Sequence, residues 1–115
     1  MQQFQQYIGG VFSDGSARFE SRDPATGEVW AMMPEARAPD VDAAVAAARA
    51  AFHASDWAGM TATARGKLLY RLADLIAENA ETMAQLETRD TGKIIRETSA
   101  QIAYVADYYR YYAGL

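Results

Sequence analysis

Cysteine is absent from this 115-residue chain. That absence removes disulfides, thiolate metal sites and thiol nucleophiles at once. Histidine occurs once, at His53. No apolar run approaches the roughly 18 residues needed to span a bilayer. The opening Met1-Gln2-Gln3-Phe4-Gln5-Gln6 has neither the basic start nor the apolar stretch of a secretory signal. Basic charge is short as well, with 11 Lys and Arg against 15 Asp and Glu and a formal net charge of -4. The basic residues lie singly or in pairs from Arg18 to Arg110 rather than along one stripe, so neither a nucleic acid nor a membrane is an expected partner. The expected location is cytoplasmic. No Gly-x-Gly-x-x-Gly loop is present to cradle a dinucleotide, and the Gly9-Gly10 pair sits within a hairpin signal rather than between a strand and a helix.

What remains is the composition of a folding chain: 50% hydrophobic and 23% charged residues, far from the polar balance of disorder. The length suits one core. Two periods divide it. Tyr7 to Phe12 reads as a hairpin turning at Gly9-Gly10, where glycine supplies positive φ. Asp14-Gly15 marks a turn, and Arg18 to Ser21 reads as extended. Asp23-Pro24-Ala25-Thr26-Gly27 makes a further turn into a short strand over Glu28 to Met33 that Pro34 closes. From Pro39 the period becomes helical, with Val41, Val45, Ala48 and Phe52 on one stripe and acidic residues in the first turn. Ser55 to Gly59 breaks that helix. A longer one follows from a Thr61 or Thr63 cap, with Leu68, Leu72, Leu75, Ile76, Met83 and Leu86 on its apolar face. The last carries Ile102, Val105, Tyr109 and Tyr112 on one stripe and stops at Gly114. The expected fold is α+β and helix-dominated. Short strands occupy about 7–34, and three helices lie within 39–114, near 40–53, 62–89 and 96–113, in a single partial domain.

Strands this short make a marginal sheet without a cover. Tyr104, Tyr108, Tyr109, Tyr111 and Tyr112 crowd the third helix and point aromatic surface in more directions than two earlier helices can cover. Both features read as part of a larger structure, or as a surface that meets a partner or a second copy.

An ordered series of segments carries a resemblance. It runs Tyr7-Ile8-Gly9-Gly10, Asp23-Pro24-Ala25-Thr26-Gly27-Glu28-Val29, Asp40-Val41-Asp42-Ala43-Ala44-Val45 and Ala47 to Phe52. Trp57, Arg65, Leu68-Leu69, Leu72 to Ile76, Leu86-Glu87, Asp90-Thr91-Gly92-Lys93 and Arg110-Tyr111-Tyr112-Ala113-Gly114 continue it. No single piece is specific, but in order and spacing the series resembles the opening of the NAD(P)-dependent aldehyde dehydrogenase superfamily. The resemblance implies an incomplete N-terminal part of a cofactor-binding domain. The enzyme it implies is several times longer, oxidises aldehydes to carboxylic acids with NAD or NADP, and forms a homo-oligomer. It also implies a cysteine nucleophile and a glutamate that activates water. This chain has no cysteine, so none of its residues is a candidate catalytic or cofactor-binding residue, and the chain alone is expected to bind no cofactor and to be inactive. Its implied partner is the remainder of the polypeptide.

The other polar candidates have plain structural readings. His53 near a helix C-terminus is favoured there by the dipole. Glu78, Glu81 and Glu87 alternate with Arg71, Asp74 and Arg89 as a solvated helix face does. Asp90-Thr91-Gly92-Lys93 lacks the glycine run of a phosphate loop and reads as a helix-ending turn. One site enters by resemblance alone: some members of the family hold a monovalent cation with oxygens at positions corresponding here to Ser21, Arg22 and Asp90, and hard oxygen ligands suit such an ion. The competing reading of the whole chain is a stand-alone helical interaction module that docks through the tyrosine-rich third helix.

Overall fold

The computed structural model describes residues 1–115, except for the side chain of Ser55. It forms two compact units, Met1–Ala58 and Gly59–Leu115.

The first unit holds the strands. The hairpin pairs β2 (Gln6–Ile8) antiparallel with β3 (Val11–Ser13), and Gly9 and Gly10 turn it at φ of 59° and 88°. Two successive positive φ angles are what a tight two-residue hairpin demands, and glycine meets them without a Cβ clash. A three-stranded sheet places β5 (Val29–Glu35) between β1 (Gln2–Gln3), parallel to it, and β4 (Ala17–Arg22), antiparallel. Asp23 builds the connection from β4 to β5. Its Oδ1 accepts from the amide of Ala25 at 2.8 Å, its carbonyl accepts from Gly27 at 2.7 Å, and Gly27 turns with φ of 74°.

Pro34 does not close β5. It pairs with Arg18, and the strand runs on to Glu35. The carbonyl of Met32 faces β1, where it accepts from Phe4 at 3.0 Å. Strand alternation then aims the nitrogen of Pro34 to that same side, past the end of β1, so no ladder hydrogen bond is lost. The parallel strand β1 was not expected from the glutamine-rich start. Trp30 and Ala31 are buried in the sheet, and the Phe4 ring meets Trp30 edge-on with centroids 5.7 Å apart.

Helix α1 (Ala38–His53) follows, with Pro39 in its first turn and a one-turn helix α2 (Ser55–Ala58) where only a break was expected. α1 buries no residue; Val41, Val45 and Phe52, the stripe that its period predicts for a core, stand exposed.

The second unit is helical: α3 (Ala62–Glu78), α4 (Ala80–Thr91) and α5 (Ile95–Ala113). The single helix expected over 62–89 is therefore two. Asn79 adopts φ of -107° and ψ of 11°, and its side-chain Nδ2 donates to the carbonyl of Leu75 at 2.8 Å. An asparagine that competes in this way for a main-chain acceptor offers the backbone an alternative to the ladder, and the helix axis restarts after it.

The core differs from the expected leucine face. Ile76, Ala84, Ile102 and Ala106 form it, with Ala80, Val105 and Tyr109 partly buried around them. Leu68, Leu72, Leu75, Met83 and Tyr112 are exposed instead. α3 meets α5 through small residues, Gly66 and Ala73 on one side and Ala106 on the other, all buried. Small side chains let the backbones approach closely: a methyl group built on Gly66 would overlap the carbonyl oxygen of Ala113. Between α4 and α5, the Oγ1 atoms of Thr88 and the fully buried Thr98 lie 2.7 Å apart, which satisfies the polar atom of Thr98 inside the packing.

Gly66 gives a test by sign. In an ordinary helix interior, Gly→Ala stabilises by about 0.5–1 kcal/mol. Here the added methyl has no room, so Gly66→Ala is expected to destabilise the chain by about 1–3 kcal/mol in urea unfolding followed by circular dichroism. A variant as stable as the native chain, or more so, would contradict the close packing.

Candidate functional site

The residues singled out for a cation fall in different settings. Ser21 lies in β4, 9% exposed, and its Oγ accepts from the indole Nε1 of Trp30 at 3.0 Å. Between Ser21 and Arg22 the register with β5 shifts, so that Ser21 faces Ala31 while Arg22 faces Val29. Such a bulge re-aims backbone groups at the end of a strand. The Arg22 side chain turns away from this point, pairing with Glu20 and donating to the carbonyl of Gly27 at 3.2 Å. Asp90 is exposed in the last turn of α4 and belongs to the second unit, whereas Ser21 and Arg22 belong to the first. Among the described residues, no three His, Cys, Asp or Glu side chains gather closely enough to hold a metal ion.

The carboxylates read as a solvated face are so placed. Glu78 pairs with Arg71 at 3.4 Å, Glu81 accepts from Gln85 at 3.2 Å, and Glu87 pairs with Lys93 at 2.6 Å. Exposed pairs like these contribute little stability. Gly92, with φ of 77°, ends α4 by donating to the carbonyl of Thr88 at 2.9 Å. The Asp90 to Lys93 segment is thus a helix stop, and Lys93 Nζ is taken up by Glu87 and, at 3.2 Å, by Gln101. His53 ends α1, its ring edge-on to Phe52 with centroids 5.3 Å apart.

Two charged residues organise their neighbourhoods. Arg110 on α5 reaches Asp74 on α3 at 3.1 Å and Asp107 one turn back at 3.1 Å; these hydrogen bonds, Asp74 first, hold the guanidinium still more firmly protonated. Asp40 joins α1 to the hairpin. Its Oδ2 accepts from the amide of Arg37 at 2.9 Å, and its Oδ1 accepts from Gln6 Nε2 at 3.0 Å. Those two bonds, the backbone one first, hold its carboxyl below the ordinary 3.8.

The outward side of α5 carries a concavity. Tyr104, Asp107, Tyr108, Tyr111 and Tyr112 line an open groove of about 310 Å³. Tyr104 meets Tyr108 edge-on at 4.8 Å, and Tyr111 meets Tyr112 in the same way at 5.2 Å. The helical period placed Tyr112 on the inner stripe; the structure places it on this outer face.

The strands and helices thus build a scaffold with supporting caps, turns and ion pairs. The aldehyde dehydrogenase family profile matches residues 11–115, and the chain belongs to that family. It is 67% identical over 115 residues to the (Z)-2-((N-methylformamido)methylene)-5-hydroxybutyrolactone dehydrogenase of Acinetobacter baylyi, covering 100% of this chain and 24% of that protein. Among solved structures, the NAD+ complex of an aldehyde dehydrogenase from Bacillus cereus superposes with a TM-score of 0.93 at 43% identity, covering 98% of this chain and 24% of that one. An NAD-dependent aldehyde dehydrogenase from Sinorhizobium meliloti gives a TM-score of 0.93 at 36% identity, over 98% and 23%. The chain therefore spans about a quarter of the length of the relatives it matches.

The Asp40 linkage predicts a pH dependence with a definite sign. Its folded pKa lies below the unfolded value, so its contribution is present above about pH 4 and is lost as the pH falls through the folded value. The stability difference between the native chain and Asp40→Asn, measured by urea unfolding across pH, is expected to close toward acid. A difference that widens toward acid would contradict the two hydrogen bonds.

Proposed function

We propose that this chain is the opening segment of an enzyme that oxidises aldehydes to carboxylic acids with NAD+ or NADP+, and that it contributes framework rather than chemistry to that reaction. The observation that carries the reading is the coincidence of a match along nearly the whole chain with the complete absence of cysteine. In the whole enzyme, bound NAD(P)+ would serve as hydride acceptor. The residues present here supply neither the thiol nor a glycine-rich loop for that cofactor, so the segment alone is read as inactive and as binding no cofactor.

What these residues would do is position. The bulge at Ser21 and Arg22 and the carboxylate of Asp90 supply oxygen donors of the kind a monovalent cation takes, and the carbonyl of Arg22 would serve while its guanidinium is engaged with Glu20 and Gly27. The exposed stripe of α1 and the leucines of α3 would pack on the remainder of the polypeptide, in a homo-oligomeric, cytoplasmic enzyme. Among the described residues, no helix is long and apolar enough to cross a membrane. The substrate class to try first with the whole enzyme comes from the Acinetobacter baylyi relative, named for a 5-hydroxybutyrolactone. A hydroxyl on the carbon that also bears the ring oxygen is a ring-closed aldehyde, and its oxidation is chemistry of the same class.

The reading is tested on the purified chain. With NAD+ or NADP+ and a panel of aldehydes, no reduced cofactor is expected. Turnover proportional to protein, in a preparation that mass spectrometry shows to contain only this polypeptide, would overturn the assignment of framework without chemistry.

A further inference from the structure

We infer that Asp14-Gly15, in the connection between β3 and β4, is a site of self-modification: the carboxyl of Asp14 condenses with the amide of Gly15 to a succinimide, water reopens this in part as isoaspartate, and Arg18 restrains the step. The inference does not rest on the proposed activity.

Ring closure asks three things of an aspartate: an unshielded amide nitrogen on the next residue, a backbone free to bring that nitrogen to the carboxyl carbon, and access to water. Of the chain's eight aspartates, Asp14 meets all three. Asp40, Asp42, Asp56, Asp74, Asp90 and Asp107 lie in helices. A helix holds ψ at about -42° and ties successive amides into its ladder, which keeps the nitrogen from the carboxyl. Asp23 precedes Pro24, whose nitrogen carries no proton. Asp14 and Gly15 lie instead outside any strand or helix, and both are exposed. Gly15 turns with φ of 71° and has no Cβ to screen its nitrogen. Among the described residues, its amide donates to no backbone carbonyl. The Asp14 side chain is 65% exposed, so water reaches the site.

Water is the only co-reactant. The Gly15 nitrogen bonds to Asp14 Cγ, and a carboxyl oxygen departs as water with the amide proton and one proton from solvent. Nothing is oxidised or reduced. Water then adds to either carbonyl of the five-membered imide. Addition at Cγ restores aspartate, whereas addition at the former main-chain carbonyl leaves the chain running through Cγ, which is isoaspartate of unchanged mass and charge.

Two neighbours hold the reacting carboxyl. Arg18 Nη2 and Gln5 Nε2 both donate to Asp14 Oδ1, the glutamine at 3.0 Å, while Arg18 Nη1 donates to the carbonyl of Phe4 at 3.2 Å. A charge-assisted bond from a guanidinium that is itself tethered must break before Cγ can turn onto the nitrogen. Oδ1 therefore joins the chain before β2, the connection after β3, and β4. Isoaspartate lengthens that connection by one main-chain carbon and carries the carboxylate off the junction. The two-stranded hairpin, marginal by itself, then loses a tie at its base.

The test incubates the native chain at neutral pH for several times the span in which the urea-unfolded chain converts. Trypsin then releases Met1 to Arg18, a peptide with Asp14 as its only aspartate. An isomer of equal mass is expected, resistant to a protease that cleaves before aspartate and showing the backbone fragments of isoaspartate at residue 14. Asp14→Glu keeps the charge but would need a six-membered ring, and is expected to abolish the isomer. Arg18→Gln is expected to raise its rate of formation severalfold, with circular dichroism checking the fold; its tryptic peptide runs to Arg22 and still holds one aspartate. If that variant loses its fold, Gln5→Ala decides instead, with a smaller rise expected. A native chain that forms no isomer at residue 14, isomerisation as fast at the other aspartates, an isomer that persists in Asp14→Glu, or a folded variant at Arg18 or Gln5 that keeps the native rate would each overturn the inference.

Discussion

The close approach of α3 to α5 at Gly66 and Ala113 sets most of the second unit. Two helices can come this near only where side chains are minimal, and the buried positions along the seam, Gly66, Ala73 and Ala106, are the smallest residues available. Rotating α3 to bring these residues to α5 carries Leu68, Leu72 and Leu75 away from it. The same rotation sets Asp74 beside Arg110, whose guanidinium closes the seam at 3.1 Å. The exposed leucines and the outward tyrosines are thus one consequence of choosing small residues at the contact.

Exposed apolar faces of this extent mark surfaces that meet something. α1 buries nothing, α3 shows leucines, and α5 shows tyrosines. The aldehyde dehydrogenase relatives are about four times longer, and the segment they share with this chain superposes with TM-scores of 0.93. The polar residues present make caps, turns and ion pairs.

Local signals carried the fold where the physics is local. The Gly9-Gly10 hairpin, the Asp23 to Gly27 turn, the Thr61 cap and the Gly92 stop each rest on backbone conformation or a hydrogen bond within a few residues, and each is readable in order. What was illegible depends on tertiary choice. Periodicity finds apolar stripes but not which one is buried; on α3 the small-residue seam displaced the larger leucines, and on α5 Tyr112 went outward. Asn79 carried a faint signal, since asparagine competes for main-chain acceptors, but the leucine pattern running through it hid the break. Pro34 was read as a stop because its missing amide matters only when a neighbour needs it, and the side it faces lies beyond β1. For Ser21, Arg22 and Asp90 the chain's own residues show a bulge and a helix end, and the cation reading came from resemblance rather than from spacing.

The central claim is that these residues are interchangeable framework for an aldehyde-oxidising enzyme. It is tested most directly by replacing the 24% of the Acinetobacter baylyi dehydrogenase that this chain matches with residues 1–115 of this chain and measuring aldehyde-dependent NAD(P)+ reduction. The account predicts a folded chimera that retains activity, because the exposed faces meet the polypeptide they are shaped for and no reacting group has changed. A chimera that folds to the same secondary structure and oligomeric state as its parent, yet reduces no cofactor, would contradict it.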